Sequence, residues 1–210
     1  MTYFSRRFFL PALCAGVASL AASPVIARQE SPLVCPVTGS AVRLPGAATK
    51  TRDVQGVRYA FCCPMCEKSF DKQPAKFTAV PKDKTKAVGV FLFDPVTTKR
   101  LGVKTAVATS VYDGVLYPFA SGANKTTFDK SPRRYATRPA KELLFCPVSD
   151  EVVKDYASAS DYSDYNGERI YMCCPGCKEP FDKEPTKYKS KIDAFRAKNA
   201  LAKPATGAKP

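Results

Sequence analysis

The sequence predicts an α+β fold built from three small modules in tandem, each a β-hairpin followed by a helix. One cysteine pattern occurs twice. The segment CPVTG at 35–39 is repeated as CPVSD at 146–150, 111 residues further along the chain. A middle copy without thiols keeps the landmark FDPVT at 93–97. This repetition predicts three modules rather than the one or two domains that the length suggests. Their predicted bounds are 31–80 and 142–192, with four cysteines each, and 88–137 without cysteine.

The elements of each copy follow from the same signals in the same order. A short apolar run predicts an entering strand, at 33–34, 90–93 and 143–145. Glycines then predict hairpin turns, at Gly56, Gly114 and Gly167. Aromatic and β-branched residues after each glycine predict the second hairpin strand, at 57–61, 115–119 and 169–172.

Prolines predict where the helices begin. Pro64 and Pro175 suit the first helical position, where a missing N–H group costs nothing. Each helix carries one phenylalanine that we expect in the module core, namely Phe70, Phe128 and Phe181. A further helical turn is expected to open at Pro74, Pro132 and Pro185.

The N-terminus predicts export. Residues 1–27 combine the pair Arg6-Arg7 with a mildly apolar run, as in a twin-arginine signal peptide, and the mature chain would begin near Arg28. The run contains Gly, Ser and Pro and is short for a membrane span, although a membrane anchor is the alternative. We therefore predict a periplasmic or secreted protein with no stable membrane span after cleavage. Removing the signal also removes Cys14 and leaves eight cysteines.

The net charge of +14 does not by itself identify a partner. A basic chain can bind nucleic acid or anionic lipid, but the lysines are scattered and no nucleic-acid motif accompanies them. We therefore predict a solvated surface and no nucleic-acid partner. Residues 199–210 are rich in Ala, Lys and Pro, and we predict a disordered tail.

The thiols are the strongest functional signal. Two C-x-x-C pairs lie at predicted strand-to-helix junctions, where two sulfur atoms converge and backbone N–H groups stabilise thiolate charge. A further sulfur lies 27 residues before each double cysteine, at a fixed spacing that indicates a site. The candidate metal ligands are Cys35, Cys62, Cys63, Cys66, Cys146, Cys173, Cys174 and Cys177.

The chain contains no histidine, which narrows the chemistry of these sites. Mixed Cys/His zinc sites, c-type haem attachment and Cys–His catalytic pairs are excluded. An all-sulfur site suits a soft or borderline ion such as Cu(I) or zinc. Adjacent cysteines such as Cys62 and Cys63 reach one ion only if the backbone turns there. Otherwise three sulfurs ligate, and the fourth binds a second ion or forms a disulfide.

Other functions are compatible with the same cysteines. Exported proteins keep disulfides, so the thiols can form a structural framework that binds another protein. The two C-x-x-C pairs also suit a dithiol-disulfide oxidoreductase. No acid/base pair, nucleophile–base pair or phosphate-binding loop stands out, so we predict that the protein is not an enzyme.

The chain resembles the YHS domain and its relative, the TRASH-like cysteine domain. The resemblance rests on FCCPMC at 61–66 and MCCPGC at 172–177, on a helix with Phe, and on Pro-x-Lys-aromatic turns at 74–77 and 185–188. It implies a treble-clef-like fold and heavy-metal binding, with copper prominent. The implied ligand pairs are Cys62 with Cys66 and Cys173 with Cys177.

The chain departs from this family at one point. The family's first cysteine follows Pro-Val, where this chain has Thr38 and Ser149, whereas Cys35 and Cys146 precede Pro-Val. Taken together, these observations predict an exported protein for metal trafficking, storage or delivery. Its partners would be a metal ion and another exported metalloprotein.

Overall fold

The computed structural model describes residues 32–43 and 50–202. The predicted signal peptide at 1–27 lies outside this range. The strands in chain order are β1 (Thr51–Val54), β2 (Val57–Ala60), β3 (Gly89–Phe91), β4 (Ala108–Tyr112), β5 (Val115–Phe119), β6 (Lys141–Leu143), β7 (Phe145–Cys146), β8 (Glu151–Val152), β9 (Asp161–Tyr165) and β10 (Glu168–Met172). The helices are α1 (Pro64–Lys72), α2 (Pro74–Phe77), α3 (Gly122–Lys130), α4 (Pro132–Tyr135), α5 (Lys178–Lys183), a 3-10 helix (Pro185–Tyr188) and α6 (Lys189–Ala202).

The hairpin of each copy closes through a two-residue turn, as the glycines predict. Both residues of every turn have positive φ, the geometry whose twist matches the flanking strands. Glycine takes the second position at no steric cost. The turns are Gln55-Gly56 (φ 51° and 68°), Asp113-Gly114 (45° and 70°) and Asn166-Gly167 (51° and 76°).

Five strands of the first and middle copies form one sheet in the order β1-β2-β3-β5-β4. Strand β3 lies between the two hairpins, antiparallel to β2 and parallel to β5. Gly89 permits the close approach, because a Cβ atom there would lie 2.6 Å from Val57 Cγ1. The third copy supplies the three-stranded sheet β6-β10-β9 and the small ribbon β7-β8. The fold is therefore α+β, and the first two copies are joined through a shared sheet.

One phenylalanine per helix fills the core of each copy, as predicted. Phe70, Phe128 and Phe181 are each only 1% exposed. Phe70 packs on Tyr59 with ring centroids 5.0 Å apart, and Phe128 packs on Tyr117 at the same distance. The same helix-to-strand contact therefore recurs in the first and middle copies.

The prolines mark helix starts at four of the five predicted positions. Pro64 begins α1, and Pro74, Pro132 and Pro185 begin the short helices. The prediction for Pro175 is wrong, because α5 begins at Lys178. Residues 174–177 instead form a turn in which Cys177 N donates to Cys174 O at 3.1 Å. Gly176, a poor helix former, lies in that turn.

The third copy is anchored to the others by a buried arginine. Arg169 is 2% exposed and pairs with Asp164 at 2.8 Å. Its guanidinium carbon lies 3.9 Å from the centroid of the Tyr162 ring and 5.7 Å from that of Phe91. Its Nη2 also donates to the carbonyl of Thr137 at 2.9 Å. A buried arginine with paired charge and aromatic contacts holds these elements in one arrangement.

The C-terminal helix extends further than the composition predicts. Helix α6 continues to Ala202, so the segment predicted to be disordered from Asn199 begins with four helical residues. Alanine and lysine favour helix, and the Asn199 amide donates to the carbonyl of Phe195 at 2.8 Å. Among the described residues, no helix is long and apolar enough to cross a membrane.

Candidate metal centres

A tight turn positions the upstream cysteine of each site. It follows β7 in the third copy, whereas in the first copy the predicted entering strand at 33–34 is reduced to two isolated bridges, Leu33 with Ala87 and Val34 with Ala41. Cys35 and Cys146 are both 0% exposed. Cys35 N donates to Ser40 O, and Gly39 N donates to Cys35 O, both at 2.8 Å. The turn requires a left-handed residue, which is Gly39 (φ 73°) in the first copy and Asp150 (φ 63°) in the third. The same local structure therefore presents a buried sulfur twice.

The first centre brings together three of the predicted ligands. The Sγ atoms of Cys35, Cys62 and Cys66 lie within 4.8 Å of one another. Cys62 Sγ and Cys66 Sγ are 3.6 Å apart. Thiolates that share one zinc ion at about 2.3 Å lie roughly 4 Å from each other. We call these three residues triad one, and their spacing fits a single thiophilic ion.

The second centre repeats this arrangement in the third copy. The Sγ atoms of Cys146, Cys173 and Cys177 lie within 4.8 Å of one another, and we call them triad three. There is one difference in bonding, because Cys177 forms a disulfide with Cys174. A sulfur in a disulfide is not a thiolate, so Cys177 donates to a metal only after reduction.

The remaining two predicted ligands lie outside the triads. Cys63 occupies the N-cap of α1 in an extended conformation (φ −156°), and its Sγ lies 3.2 Å from Cys66 Sγ. Cys174 is the disulfide partner of Cys177. The sequence left two arrangements open, with either four or three sulfurs around one ion. In the structure three sulfurs lie close together in each centre, and the fourth contacts or is bonded to one of these three.

Backbone N–H groups surround the buried sulfur of Cys35. Burial opposes ionisation, but hydrogen bonds from the backbone of Cys62, Thr38 and Val37 and from the Thr38 side chain outweigh it and lower the pKa of Cys35 to about 7. Burial opposes ionisation of Cys146 too, and matching hydrogen bonds from Ser149, Cys173 and Val148 lower its pKa. Both upstream cysteines therefore favour the thiolate form that a metal needs.

One further thiol in each triad, Cys66 or Cys173, has a raised pKa and retains its proton more strongly. The hydrogen bond with Cys63 and then burial raise the pKa of Cys66, while the same contact lowers the pKa of Cys63. Burial raises the pKa of Cys173 to about 11. Metal binding at either triad would therefore release protons from these thiols.

A hydroxyl group accompanies each triad. Thr38 Oγ1 lies 3.3 Å from Cys62 Sγ, and Ser149 Oγ lies 3.1 Å from Cys173 Sγ. The sequence patterns predicted no role for Thr38 or Ser149. Their position directly after Pro-Val in both copies was the available signal, since a residue there shares the turn with Cys35 or Cys146.

The middle copy has a hydrogen-bonded centre at the place of the triads. Asp94, which is 0% exposed, stands where Cys35 stands in the first copy. Its Oδ1 accepts from Val96 N at 2.9 Å and Thr97 N at 3.3 Å. Its Oδ2 accepts from Ala120 N at 2.9 Å and from Asn124 Nδ2 at 2.7 Å. We call Asp94 with these four donors the aspartate centre.

The two triads differ in access. Cys62 and Cys63 are exposed, and the neighbouring Met65 is 67% exposed, so triad one opens to solvent. In the third copy Gly176 stands in the place of Met65, and Cys173 is partly covered.

Comparison of the chain with protein-family models, with curated proteins and with solved structures gave no match. The sites themselves therefore carry the functional argument.

Proposed function

We propose that the protein binds soft or borderline metal ions, Cu(I) or Zn²⁺, at its two cysteine triads. One observation carries this proposal: three sulfur atoms converge twice, at equivalent positions of the first and third copies. Thiolate-rich, histidine-free sites select these ions over the harder Mg²⁺ and Ca²⁺. Backbone donors around Cys35 and Cys146 support it further, because they stabilise a thiolate before any ion arrives.

The protein would act in metal trafficking, storage or delivery rather than in catalysis. The exposed thiols of Cys62 and Cys63 suit exchange of an ion with another exported metalloprotein. The twin-arginine motif at Arg6-Arg7 and the resemblance to YHS and TRASH-like domains support export and metal handling. We also propose that each of the three copies is a small treble-clef-like module.

Metal titration tests this function directly. Protein reduced under nitrogen should bind about two equivalents of Zn²⁺ or Cu(I) in competition with a chromogenic chelator, one at each triad. Cys66→Ser and Cys177→Ser should each remove one equivalent. Cys63→Ser is the matched control, because this residue lies next to triad one but outside it. Binding of no stoichiometric ion by the fully reduced protein would refute the proposal.

A second candidate function, dithiol-disulfide exchange, is favoured by the Cys174–Cys177 disulfide. A C-x-x-C pair near a helix start can cycle between the dithiol and the disulfide. Catalysed reduction of a protein disulfide by the reduced chain, abolished by Cys174→Ser, would favour this function. Stoichiometric metal binding without turnover would favour the first.

A further inference from the structure

Each centre contains one sulfur that belongs to two arrangements. Cys177 is a member of triad three and is also bonded to Cys174. Cys66 is a member of triad one, and its Sγ lies 3.2 Å from that of Cys63. The two uses exclude each other, because a sulfur that has formed a disulfide no longer offers a thiolate to a metal.

The two cysteines of each pair differ in access. The outer cysteine, Cys63 or Cys174, is exposed or partly exposed, whereas the inner one, Cys66 or Cys177, is 3% or 4% exposed. An oxidant from solvent therefore meets the outer sulfur first. The inner sulfur is then within reach to complete the reaction.

We propose that the C-x-x-C pair of each centre is a site of reversible oxidation by small-molecule disulfides, and that closing the pair expels the metal ion from the triad. This inference rests on the proposed metal binding. It assigns a role to Cys63 and Cys174, which belong to neither triad. These two cysteines control the release of the ion without binding it.

The chemistry is thiol–disulfide exchange in two steps. The outer thiolate attacks one sulfur of the disulfide RSSR, the S–S bond breaks, and RS⁻ leaves and takes up the proton that the outer thiol released. The inner thiolate then leaves the metal and attacks the outer sulfur, which expels the second RS⁻, protonated by water. Two electrons pass from the two cysteine sulfurs to RSSR, giving one intramolecular disulfide and two RSH. The ion keeps its charge and retains only two ligands.

The third copy has the geometry expected after such a reaction. Helix α1 begins at Pro64, inside the C-x-x-C sequence, while α5 begins only at Lys178, after the bonded pair. The reduced and the bonded pair are therefore associated with different helix starts.

Losing one of three thiolates should weaken the metal affinity of a triad by at least roughly 100-fold, since even changes outside the ligand set lower metal affinity about 10- to 100-fold.

The test uses the full chain, reduced and loaded with Zn²⁺, an ion without redox chemistry of its own. Zinc uptake is measured first, and oxidised glutathione is then added while a chromogenic chelator reports release. Disulfides are mapped by mass spectrometry after alkylation. We expect release to parallel formation of the Cys63–Cys66 and Cys174–Cys177 disulfides, and dithiothreitol to restore binding.

The decisive variant is Cys63→Ser/Cys174→Ser, which keeps both triads and removes both outer thiols. It should fold, because Ser121 occupies the equivalent position of the middle copy, where its Oγ caps α3 by accepting from Asn124 N at 3.1 Å. It should take up about two equivalents of Zn²⁺ and keep them in oxidised glutathione. The single variants should each protect one ion, which provides the same test if the double variant is unstable.

The possible failures are distinguishable. If the reduced wild-type chain takes up no zinc, the proposed function fails and the inference fails with it. If zinc is taken up but the wild type keeps it after both disulfides have formed, only the inference is overturned. Release from the double variant at the wild-type rate overturns it as well.

Discussion

The aspartate centre and triad one occupy equivalent places in two copies of one scaffold, yet they use different chemistry. In the middle copy the side chain of Asp94 accepts four hydrogen bonds, from Val96, Thr97, Ala120 and Asn124. In the first copy Cys35 meets the corresponding donors Val37, Thr38 and Cys62. The turn therefore offers N–H groups to an anion, and either an aspartate or a thiolate can satisfy them.

This difference separates folding from function. In the middle copy hydrogen bonds to Asp94 take the place of the sulfurs, so the same turn and helix start form there without thiols. The thiols of the first and third copies stand at a place that suits negative charge, which a carboxylate occupies in the middle copy. Binding can then be gained or lost at this place without rebuilding the strands and helices around it.

The largest effect expected from this comparison is the gain of a third site. The variant Asp94→Cys/Ala120→Cys/Asn124→Cys places three thiols at the positions of triad one. It should bind one additional equivalent of Zn²⁺, with a free energy on the order of 10 kcal/mol if it matches structural thiolate sites. Titration of the reduced protein measures this. The triple serine variant at the same positions is the control, and an unchanged stoichiometry in the cysteine variant would show that the two centres are not interchangeable.

The next effect is on stability. Asp94→Ala removes a buried carboxyl group and leaves its four partly buried donors without their acceptor, and we expect the free energy of unfolding to fall by about 3 kcal/mol. Urea denaturation of the reduced, metal-free chain measures the loss. Asp129→Ala, which removes an exposed carboxyl group paired with Lys125 in the same copy, should cost less than about 1 kcal/mol. Equal losses in the two variants would mean that the aspartate centre does not hold the middle copy.

Local signals allowed much of this fold to be predicted from the sequence. Glycines placed three hairpin turns and prolines placed four helix starts, because both residues act through their own backbone dihedrals. The start of α5 was predicted wrongly at Pro175, since this residue lies within a turn closed by a disulfide, and that bond depends on how two side chains meet. The shared sheet was also missed, because pairing of β3 with strands from two copies is a long-range contact.

The site was predicted in its composition and only partly in its geometry. Repeated spacing identified all eight cysteines as candidates, but it could not decide which six form the triads and which two each pair with a triad sulfur from outside. That choice depends on the backbone direction at Cys63 and Cys174, which lie three residues after β2 and two residues after β10. The hydroxyls of Thr38 and Ser149 became visible only when the turn brought them beside Cys62 and Cys173.

The third prediction concerns pH, because the thiol of Cys35 titrates near neutral pH. The pKa of Cys35 is about 7 in the folded chain, below the value of about 8.5 for a free thiol. Its contribution to stability is therefore complete above about pH 8.5 and is lost as the pH falls through 7. The free energy of unfolding of the wild type, relative to Cys35→Ser, should rise by roughly 2 kcal/mol between pH 6 and 9. Urea denaturation of reduced, metal-free protein measures this, and parallel pH profiles would contradict it.

The smallest expected effect concerns the hydroxyl group of Thr38, which lies beside triad one. Thr38→Val keeps the shape of the side chain but removes the oxygen that lies 3.3 Å from Cys62 Sγ and hydrogen-bonds to Cys35. Because such outer contacts orient ligands and stabilise their charge, we expect the Zn²⁺ affinity of triad one to fall about tenfold. Thr38→Ser is the matched control, since Ser149 plays the same part beside Cys173, and it should bind as the wild type does. Chelator competition in a Cys177→Ser background isolates triad one. If the Thr38→Val and Thr38→Ser variants bind Zn²⁺ equally well, the hydroxyl group contributes only to the turn, and the thiolates alone determine the affinity of triad one.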